Sequence, residues 1–252
     1  MLALMIRYFS VVAILLFWVA PSNGRETTTL RRTPVNITEY PWSTIGKIYN
    51  SSGGDCTGVL VSPQMVATAA HCLFNFRTRR FLPAAAIHFL LGYSRGSYRY
   101  HARVGSYQFG AGYDPKSERQ TIASDWALLT LTARVNLLTS PIAIEASEKM
   151  GLSSAILAGF GQRRAYLLTA DTQCKIIKRF ANHMFMTNCF SMPGDSGAPI
   201  LTKDADGVYR MVGIQISNVQ ISGSLRSIAV STASPALHQA LQENVAPPLT
   251  KR

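Results

Sequence analysis

Short runs of apolar residues, separated by glycine, proline, serine and asparagine, dominate the chain from Tyr40 onward. Each run has the length of a β-strand and is rich in Val, Ile, Leu and Thr, which favour strands. No long amphipathic helical stretch interrupts them. The pattern therefore predicts an all-β protein. Its clearest runs are CTGVLVS, MVATAA, AAIHFLLG, WALLTLTA, SAILAGFG, APILTK, YRMVGIQIS and RSIAVST.

The last part of the chain has helical rather than strand periodicity. In SPALHQALQENV, Ser234 suits the N-cap of a helix and Pro235 suits its first turn. Leu237 and Leu241 would then lie on one helical face. We therefore expect many short strands followed by one short helix over 234–245, an arrangement typical of β-barrels or a β-sandwich.

A polar segment, EASEKMGLSS, separates the predicted strands into two halves. The first half spans about 40–145 and the second about 150–233, with no internal sequence repeat. A chain of 252 residues suffices for one large all-β unit or for two small packed halves.

Composition indicates a folded, basic protein. Hydrophobic residues make up 47% of the chain and charged residues 15%, a balance that excludes a largely disordered chain. The net charge of +12 favours anionic surroundings and carries no information about the fold. The densest basic segment, FNFRTRRF, interleaves arginine with aromatic residues, but we interpret it as a solvated loop and expect no nucleic-acid partner.

The N-terminus has the pattern of an export signal. Arg7 supplies a positive flank, an apolar stretch follows, and small residues suit cleavage after Gly24. The apolar stretch is short for a membrane span, and an uncleaved anchor is the alternative. We assign 1–24 to a signal peptide and 25–34 to a leader or flexible arm. After signal removal we expect no stable membrane contact and a secreted or periplasmic protein.

The four cysteines are expected to form two disulfides, since an even number in an exported chain is typical of disulfide bonding. Cys56, Cys72, Cys174 and Cys189 allow three pairings. We favour Cys56–Cys72 and Cys174–Cys189 because each closes a short loop within one half. No Cys-x-x-Cys occurs, and the His/Cys spacing does not suit zinc. No motif in the sequence calls for another metal or for an organic cofactor, so we expect neither.

Candidate chemistry centres on Ser196, in the segment PGDSGAP. A serine hydroxyl is a weak nucleophile until a base, usually histidine, takes its proton, and a buried carboxylate orients that base. His71, in TAAHC, precedes Cys72, so a disulfide would hold its backbone. Asp125 stands before an apolar strand, whereas Asp195 is too close to Ser196 to reach the far side of the imidazole. We predict His71, Asp125 and Ser196 as the catalytic residues.

A glycine at position 194, in the same segment, suits the same chemistry. An acyl-transfer site needs backbone N–H groups directed at the oxyanion that forms on the attacked carbonyl. Without a Cβ, Gly194 lets the backbone adopt unusual dihedral angles and approach substrate closely. We predict an oxyanion hole from the N–H groups of Gly194 and Ser196. The Asp195 carboxylate would then lie behind the loop and accept hydrogen bonds or pair with a cation.

Three segments in this order, TAAHC, SDWALLTL and GDSGAPI, closely resemble the chymotrypsin-like, or trypsin-family, serine proteases. Further matches are CTGVLVSPQMVATAAHC, GFG, VGIQIS and the terminal helix, and together they cover roughly 35–245. The resemblance implies two packed six-stranded antiparallel β-barrels with the active site in the cleft between them. It also implies His71 as general base, Asp125 as its orienting partner and Ser196 as nucleophile.

The resemblance further implies a protease domain over 35–246, followed by a tail over 247–252. We expect a monomer that acts on protein or peptide substrates.

The start of the domain departs from the common family pattern. RRTPVNITEYPWSTIGKI lacks the Ile-Val-Gly-Gly tetrad and looks more like the compact bacterial branch that contains the glutamyl endopeptidases. In many family members the freed N-terminus of that tetrad pairs with the acid before the nucleophile. Asp195 is therefore expected to pair with something else, and whether a cut after Arg32 activates the chain stays open.

The resemblance also locates a substrate pocket. Its floor, six positions before the nucleophile, is Phe190 rather than an acid, so a trypsin-like preference for Arg or Lys is not supported. Gln215 stands where the glutamyl endopeptidases have a histidine that helps hold the substrate carboxylate. Ser217 and Asn218 could hydrogen-bond a polar side chain. We favour a small or apolar residue before the cleaved bond.

Three other readings compete with an exported serine endopeptidase. A catalytically inactive binding protein of the same fold is the main alternative, but such proteins usually lack a triad member and all three are present. An α/β-hydrolase esterase needs Gly-x-Ser-x-Gly before a helix, whereas here glycine directly follows the serine. A basic surface-binding protein would rest on charge alone.

Overall fold

The computed structural model describes residues 31–51, 53–136, 140–147 and 153–245. The predicted signal peptide, most of the predicted leader and the predicted tail lie outside these residues. No helix in the described ranges is long and apolar enough to cross a membrane.

The described residues form sixteen strands and two α-helices, joined by short 3₁₀ turns. The strands are β1 (Thr33–Pro34), β2 (Ile45–Asn50), β3 (Asp55–Ser62), β4 (Met65–Thr68), β5 (Phe74–Asn75), β6 (Arg80–Phe81), β7 (Ile87–Leu91), β8 (Tyr100–Phe109), β9 (Ala127–Leu131), β10 (Ala143–Ile144), β11 (Ser154–Gly159), β12 (Thr169–Arg179), β13 (Met184–Thr187), β14 (Pro199–Lys203), β15 (Tyr209–Ile221) and β16 (Ser224–Ser231). The α-helices are α1 (Glu118–Thr121) and α2 (Pro235–Val245). The 3₁₀ helices span Trp42–Thr44, Ala70–Leu73, Ala84–Ala86, Ile122–Ser124 and Gln162–Arg164.

Two closed barrels contain most of these strands. The first barrel has the spatial order β2-β3-β4-β9-β8-β7. The second has the order β12-β11-β14-β15-β16-β13, and β13 pairs back to β12. Neighbouring strands within each barrel are antiparallel. The all-β prediction of two six-stranded barrels and a short C-terminal helix is confirmed.

Alternating burial explains why these runs form barrels. In β7, Ile87, Phe89 and Leu91 are buried while the residues between them are partly exposed. Successive side chains of a strand point to opposite faces, so one face of β7 fills the first barrel. Closing the sheet pairs both of its edges and leaves no edge strand open to aggregation.

A single apolar cluster joins the two barrels and α2. It includes Ile45 and Val59 from the first barrel, Ala158 and Ile214 from the second, and Leu237 from the helix. The two halves predicted on either side of EASEKMGLSS therefore share a core, which holds the two barrels against each other.

The N-terminal segment departs from the predicted flexible arm. Thr33–Pro34 forms β1 and pairs with β12 in the second barrel. Arg32 is only 5% exposed, and Arg31 forms an ion pair with buried Asp171 at 3.1 Å. Residues 31–34 are therefore part of the folded domain, because buried carboxylates beneath the second barrel require cationic partners.

Both disulfides form in the favoured pairing, Cys56–Cys72 and Cys174–Cys189. The first joins β3 to the 3₁₀ helix Ala70–Leu73. The second joins β12 to the segment that follows β13. Each closes a loop of 15 or 16 residues, which in the chain-entropy model stabilises the fold by about 3 kcal/mol.

Thr57 of β3 connects the first barrel to the loop that contains Ser196. Its N–H donates to the Ser196 carbonyl at 2.8 Å, and its hydroxyl donates to the Gly194 carbonyl at 2.9 Å. The same hydroxyl accepts the Phe160 N–H at 3.0 Å. Because Thr57 is completely buried, these bonds are shielded from water and fix the loop against the first barrel.

Gly197 lets the loop lie directly on β3 and β4. Its φ is +81°, in the left-handed region. A Cβ at this position would overlap Thr68 Oγ1 and the Thr57 carbonyl oxygen. Both neighbours belong to the buried junction, so neither can move without breaking the Thr68–Thr57 hydrogen bond.

Replacing Gly197 by Ala is therefore expected to destabilise the protein much more than replacing Gly223 by Ala. Gly223 has a similar φ of +76° and open space around it, so it serves as the matched control. Both variants incur about 1–2 kcal/mol for the left-handed backbone, and only Gly197→Ala adds a steric cost of about 1–3 kcal/mol. Urea unfolding followed by tryptophan fluorescence gives the two losses, and equal losses would contradict the tight junction.

Candidate active site

His71 lies on the 3₁₀ helix Ala70–Leu73, which follows β4. The adjacent Cys72 is bonded to Cys56 of β3, so the disulfide restrains the backbone next to the imidazole. The ring is largely buried, with 16% of the side chain exposed. The sulfurs of this disulfide and a ring nitrogen of His71 lie within 4.8 Å of one another, but bonded sulfurs are not free to ligate a metal.

Asp125 contacts His71 at two points. Its Oδ2 lies 2.7 Å from His71 Nδ1, and its Oδ1 accepts the His71 backbone N–H at 2.9 Å. Asp125 is completely buried and lies two residues before β9. A carboxylate in this position accepts a hydrogen bond from Nδ1–H, which keeps the proton on Nδ1 and leaves Nε2 as the acceptor on the other side of the ring. The structure thus brings together two of the three predicted catalytic residues.

The carboxylate also changes the acidity of the imidazole. Burial disfavours the charged ring, but the charge and hydrogen bond of Asp125, with a smaller effect of Glu118, outweigh it. The pKa of His71 therefore lies above its ordinary value of 6.5.

Ser196 lies against the disulfide that neighbours His71. Its carbonyl oxygen is 3.7 Å from Cys72 Sγ and accepts the Thr57 N–H. The residue is partly exposed, whereas Asp195 before it and Gly197 after it are buried. The three predicted catalytic residues, which come from distant parts of the chain, therefore belong to one neighbourhood at the barrel junction.

In the Ser196 loop, backbone N–H groups that donate to a carbonyl alternate with N–H groups that do not. The Asp195 N–H donates to the Met192 carbonyl at 3.0 Å, and the Gly197 N–H donates to the Gln215 carbonyl at 2.7 Å. Across the described ranges, the N–H groups of Gly194 and Ser196 donate to no protein acceptor. Gly194 has a φ of +96°, and a Cβ there would lie 2.5 Å from the Phe160 carbonyl oxygen. These two unused donors are the ones predicted for an oxyanion hole.

Asp195 is directed away from the loop into the second barrel and is completely buried. Its Oδ2 accepts hydrogen bonds from the Arg32 guanidinium and from the Met192 N–H, the latter at 2.8 Å. Gly159 makes room for it, since a Cβ there would lie 2.5 Å from Asp195 Oδ1. Burial raises the pKa of the Asp195 carboxyl, against the opposing effects of Arg32 and the Met192 N–H.

Arg32 is a site residue that sequence reasoning missed. Besides Asp195, its guanidinium donates to the carbonyls of Phe190 at 3.3 Å, Gly159 at 3.1 Å and Thr169 at 2.7 Å. The sequence signals were an expected cation for Asp195 and an Arg-Arg pair ahead of the first strand. Because 163 residues separate Arg32 from Asp195 in the sequence, the pairing could not be assigned before the fold was known.

Gln215 organises the predicted pocket. Its side chain is almost completely buried, and Nε2 donates to Ser191 Oγ at 3.0 Å, the Ser217 carbonyl at 2.9 Å and Asn218 Oδ1 at 3.1 Å. The Ser227 hydroxyl donates to Gln215 Oε1. The structure therefore brings Gln215, Ser217 and Asn218 together and adds Ser191 and Ser227, which the sequence pattern did not reveal.

Phe190, the fourth predicted pocket residue, lines a small cavity on the Arg32 side of the loop. Its N–H donates to Asp171 Oδ2 at 2.8 Å, and its carbonyl accepts from Arg32. The cavity is lined by Arg32, Arg163, Arg164, Thr169, Phe190 and Met192. None of these residues belongs to the Gln215 cluster.

Comparison with known proteins agrees with this fold. A solved structure of a Glu endopeptidase in complex with MPD superposes with a TM-score of 0.70 at 16% identity, covering 86% of this chain and 97% of that chain. A glutamyl endopeptidase of Bacillus licheniformis is 37% identical over 92 residues, or 36% of this chain. That match spans 24% of the relative's length.

The family model described as Trypsin matches residues 31–237, which begin at the two arginines beneath the Ser196 loop. This match covers well over half of the chain, and the chain therefore belongs to the trypsin family.

Proposed function

We propose that the protein is an exported serine endopeptidase that hydrolyses peptide bonds through an acyl-enzyme on Ser196. The observation that carries the proposal is the two-point contact of Asp125 with His71, together with the unused N–H donors of Ser196 and Gly194 in the adjacent loop. Membership of the trypsin family and the resemblance to glutamyl endopeptidases support the reaction class.

In the proposed reaction, His71 Nε2 accepts the Ser196 hydroxyl proton while Oγ attacks the substrate carbonyl. Asp125 stays ionised and stabilises the imidazolium that forms. His71 then donates the proton to the leaving amine, and water repeats the sequence to release the acyl group. The Gly194 and Ser196 N–H groups would stabilise the oxyanion, a contribution of about 3 kcal/mol for one such donor.

Export is the part of the proposal that rests on the sequence and the disulfides. The signal-like segment lies outside the described residues, and two disulfides are typical of an oxidising compartment. We propose a secreted or periplasmic enzyme that acts on proteins or peptides.

The hydrogen bonding of Gln215 supports a preference for a small or apolar residue before the cleaved bond. A side-chain amide has two N–H hydrogens, and three acceptors already lie within 3.1 Å of Nε2. Its oxygen accepts from Ser227. The Gln215 amide therefore has no spare donor for a substrate carboxylate, and the side chains of this cluster include no carboxylate that could pair with a substrate cation.

A fluorophosphonate probe is expected to label the wild-type chain at Ser196. Ser196→Ala should abolish labelling because the nucleophile is gone, and His71→Ala should reduce it by orders of magnitude because the base is gone. Ser106→Ala, at an exposed serine of β8, is the matched control and should label like wild type. Mass spectrometry of the labelled peptide provides the measurement. A folded wild-type chain that takes no label would instead support the inactive binding protein.

The pH dependence of kcat/KM should report the ionisation of the His71 imidazole. Activity falls as the pH drops through its pKa, because imidazolium cannot accept the serine proton, and the midpoint should lie above the ordinary 6.5. Asp125→Asn removes the charge that raises this pKa, so the midpoint should move to lower pH while kcat falls about 10⁴-fold. Glu118→Gln should give only a small shift. An unchanged midpoint in Asp125→Asn would contradict the assigned pair.

Cleavage of a mixed proteome is expected to occur mainly after small or apolar residues, as read from the termini of the product peptides. Gln215→His supplies a titratable donor at the pocket and should raise cleavage after Glu relative to Ala. Gln220→His, at an exposed glutamine of the same strand, is the control and should leave this ratio unchanged. A strong preference of the wild type for Glu, Arg or Lys would refute the pocket assignment.

A further inference from the structure

The loop that contains Ser196 depends on a buried charge that the proposed reaction does not use. Asp195 stands in sequence between Gly194 and Ser196, whose N–H groups are assigned to the oxyanion hole, and its carboxylate is directed away from them toward Arg32. An unpaired carboxylate at a fully buried position would be very unfavourable. Among the described residues, Arg32 is the cation that forms an ion pair with it.

Arg32 connects this carboxylate to three neighbouring segments of the second barrel. Its guanidinium donates to Asp195, to the carbonyl of Phe190 just ahead of the loop, and to the ends of β11 and β12 through Gly159 and Thr169. The side chain is almost fully buried at 3% exposure. A planar guanidinium with five donors in a fixed arrangement suits this task better than an ammonium.

The ion pair is also coupled to the shape of the loop. Asp195 Oδ2 accepts the Met192 N–H, and the Asp195 N–H donates back to the Met192 carbonyl. The Asp195 carbonyl accepts the Ala198 N–H. Displacing the carboxylate would therefore displace the backbone from Met192 to Ala198, including the N–H groups of Gly194 and Ser196.

The peptide connection on the C-terminal side of Arg32 holds the guanidinium in place. Thr33 and Pro34 form β1 on β12, so Arg32 enters the domain from an anchored strand. On the other side, Arg31 pairs with Asp171, whose Oδ2 also accepts the Phe190 N–H. A cut between Arg32 and Thr33 would leave the guanidinium on a separate peptide.

Resting on the proposed function, we propose that Arg32 is a positioning residue whose side chain supplies the countercharge that holds the oxyanion loop in its active shape. The enzyme works with the chain intact across the Arg32–Thr33 bond, and cleavage after Arg32 switches it off. The countercharge is thus an internal side chain rather than a newly formed N-terminus.

The first test uses kinetics of the chain that begins after the signal peptide. Arg32→Gln should lower kcat about 10²-fold, as expected for a misplaced oxyanion donor, with little change in KM. Arg32→Lys keeps the charge and should recover part of the loss. Arg210→Gln breaks an exposed ion pair with Asp204 and is the matched control, expected to keep wild-type kcat.

Two further measurements separate positioning from general destabilisation. Millimolar guanidinium should partly restore kcat and the fluorophosphonate labelling rate of Arg32→Ala, an effect that simple destabilisation would not produce. Combining Arg32→Gln with Asp195→Asn should cost no more than the worse single variant, because both changes remove one ion pair. Wild-type kcat in Arg32→Gln, or fully additive losses without guanidinium rescue, would overturn the proposal.

The second test concerns the cut itself. Wild-type protein partly digested with an Arg-specific protease is labelled with fluorophosphonate, and the labelled fraction is sequenced from its N-terminus. Labelled molecules should retain Arg32 joined to Thr33, and labelled molecules beginning at Thr33 would overturn the proposal. If undigested wild type neither labels nor hydrolyses peptides, the proposed function fails instead, so the two failures are distinguishable.

Discussion

A carboxylate taken out of water must be given a countercharge and hydrogen-bond donors, and Asp195 imposes this requirement on the second barrel. The segment 31–34 is folded rather than flexible because Arg32 meets that requirement. The turn GFG has glycine at its first position because the carboxylate occupies the space of a Cβ at Gly159. A motif that looks local, an acid beside a serine, therefore determines the placement of chain more than a hundred residues away.

The candidate site is divided between the barrels, and each barrel performs a different part of the task. The first barrel holds His71 and Asp125 in a fixed relation through two hydrogen bonds and a disulfide. The second barrel supplies Ser196 and shapes the loop around it. Thr57 and Gly197 bring the two parts together without intervening side chains. The shared apolar cluster keeps the barrels packed against each other and so maintains these short contacts.

Much of the fold and part of the site could be predicted from the sequence. Alternation in runs such as IHFLL indicates strands with one buried face, and the motifs around His71, Asp125 and Ser196, in that order, resemble those of the trypsin family. Arg32 could not be assigned, because an Arg-Arg pair ahead of the first strand has the same appearance whether it is solvated or buried. Ser191 and Ser227 could not be predicted for a similar reason. Nothing in the sequence distinguishes them from other serines, and only the tertiary structure brings them to the Gln215 amide.

The hydrogen bonds of Thr57 determine how the protein responds when the two barrels begin to separate. One hydroxyl on the first barrel contacts both Gly194 and Phe160, which belong to the second. A slight separation of the barrels would break these bonds while the strands of each barrel stayed paired. Partial opening of this kind requires less free energy than complete unfolding. Heat, pressure or a ligand bound between the barrels would thus disrupt the Ser196 loop first. Circular dichroism, which reports the strands, would still show native secondary structure at that point.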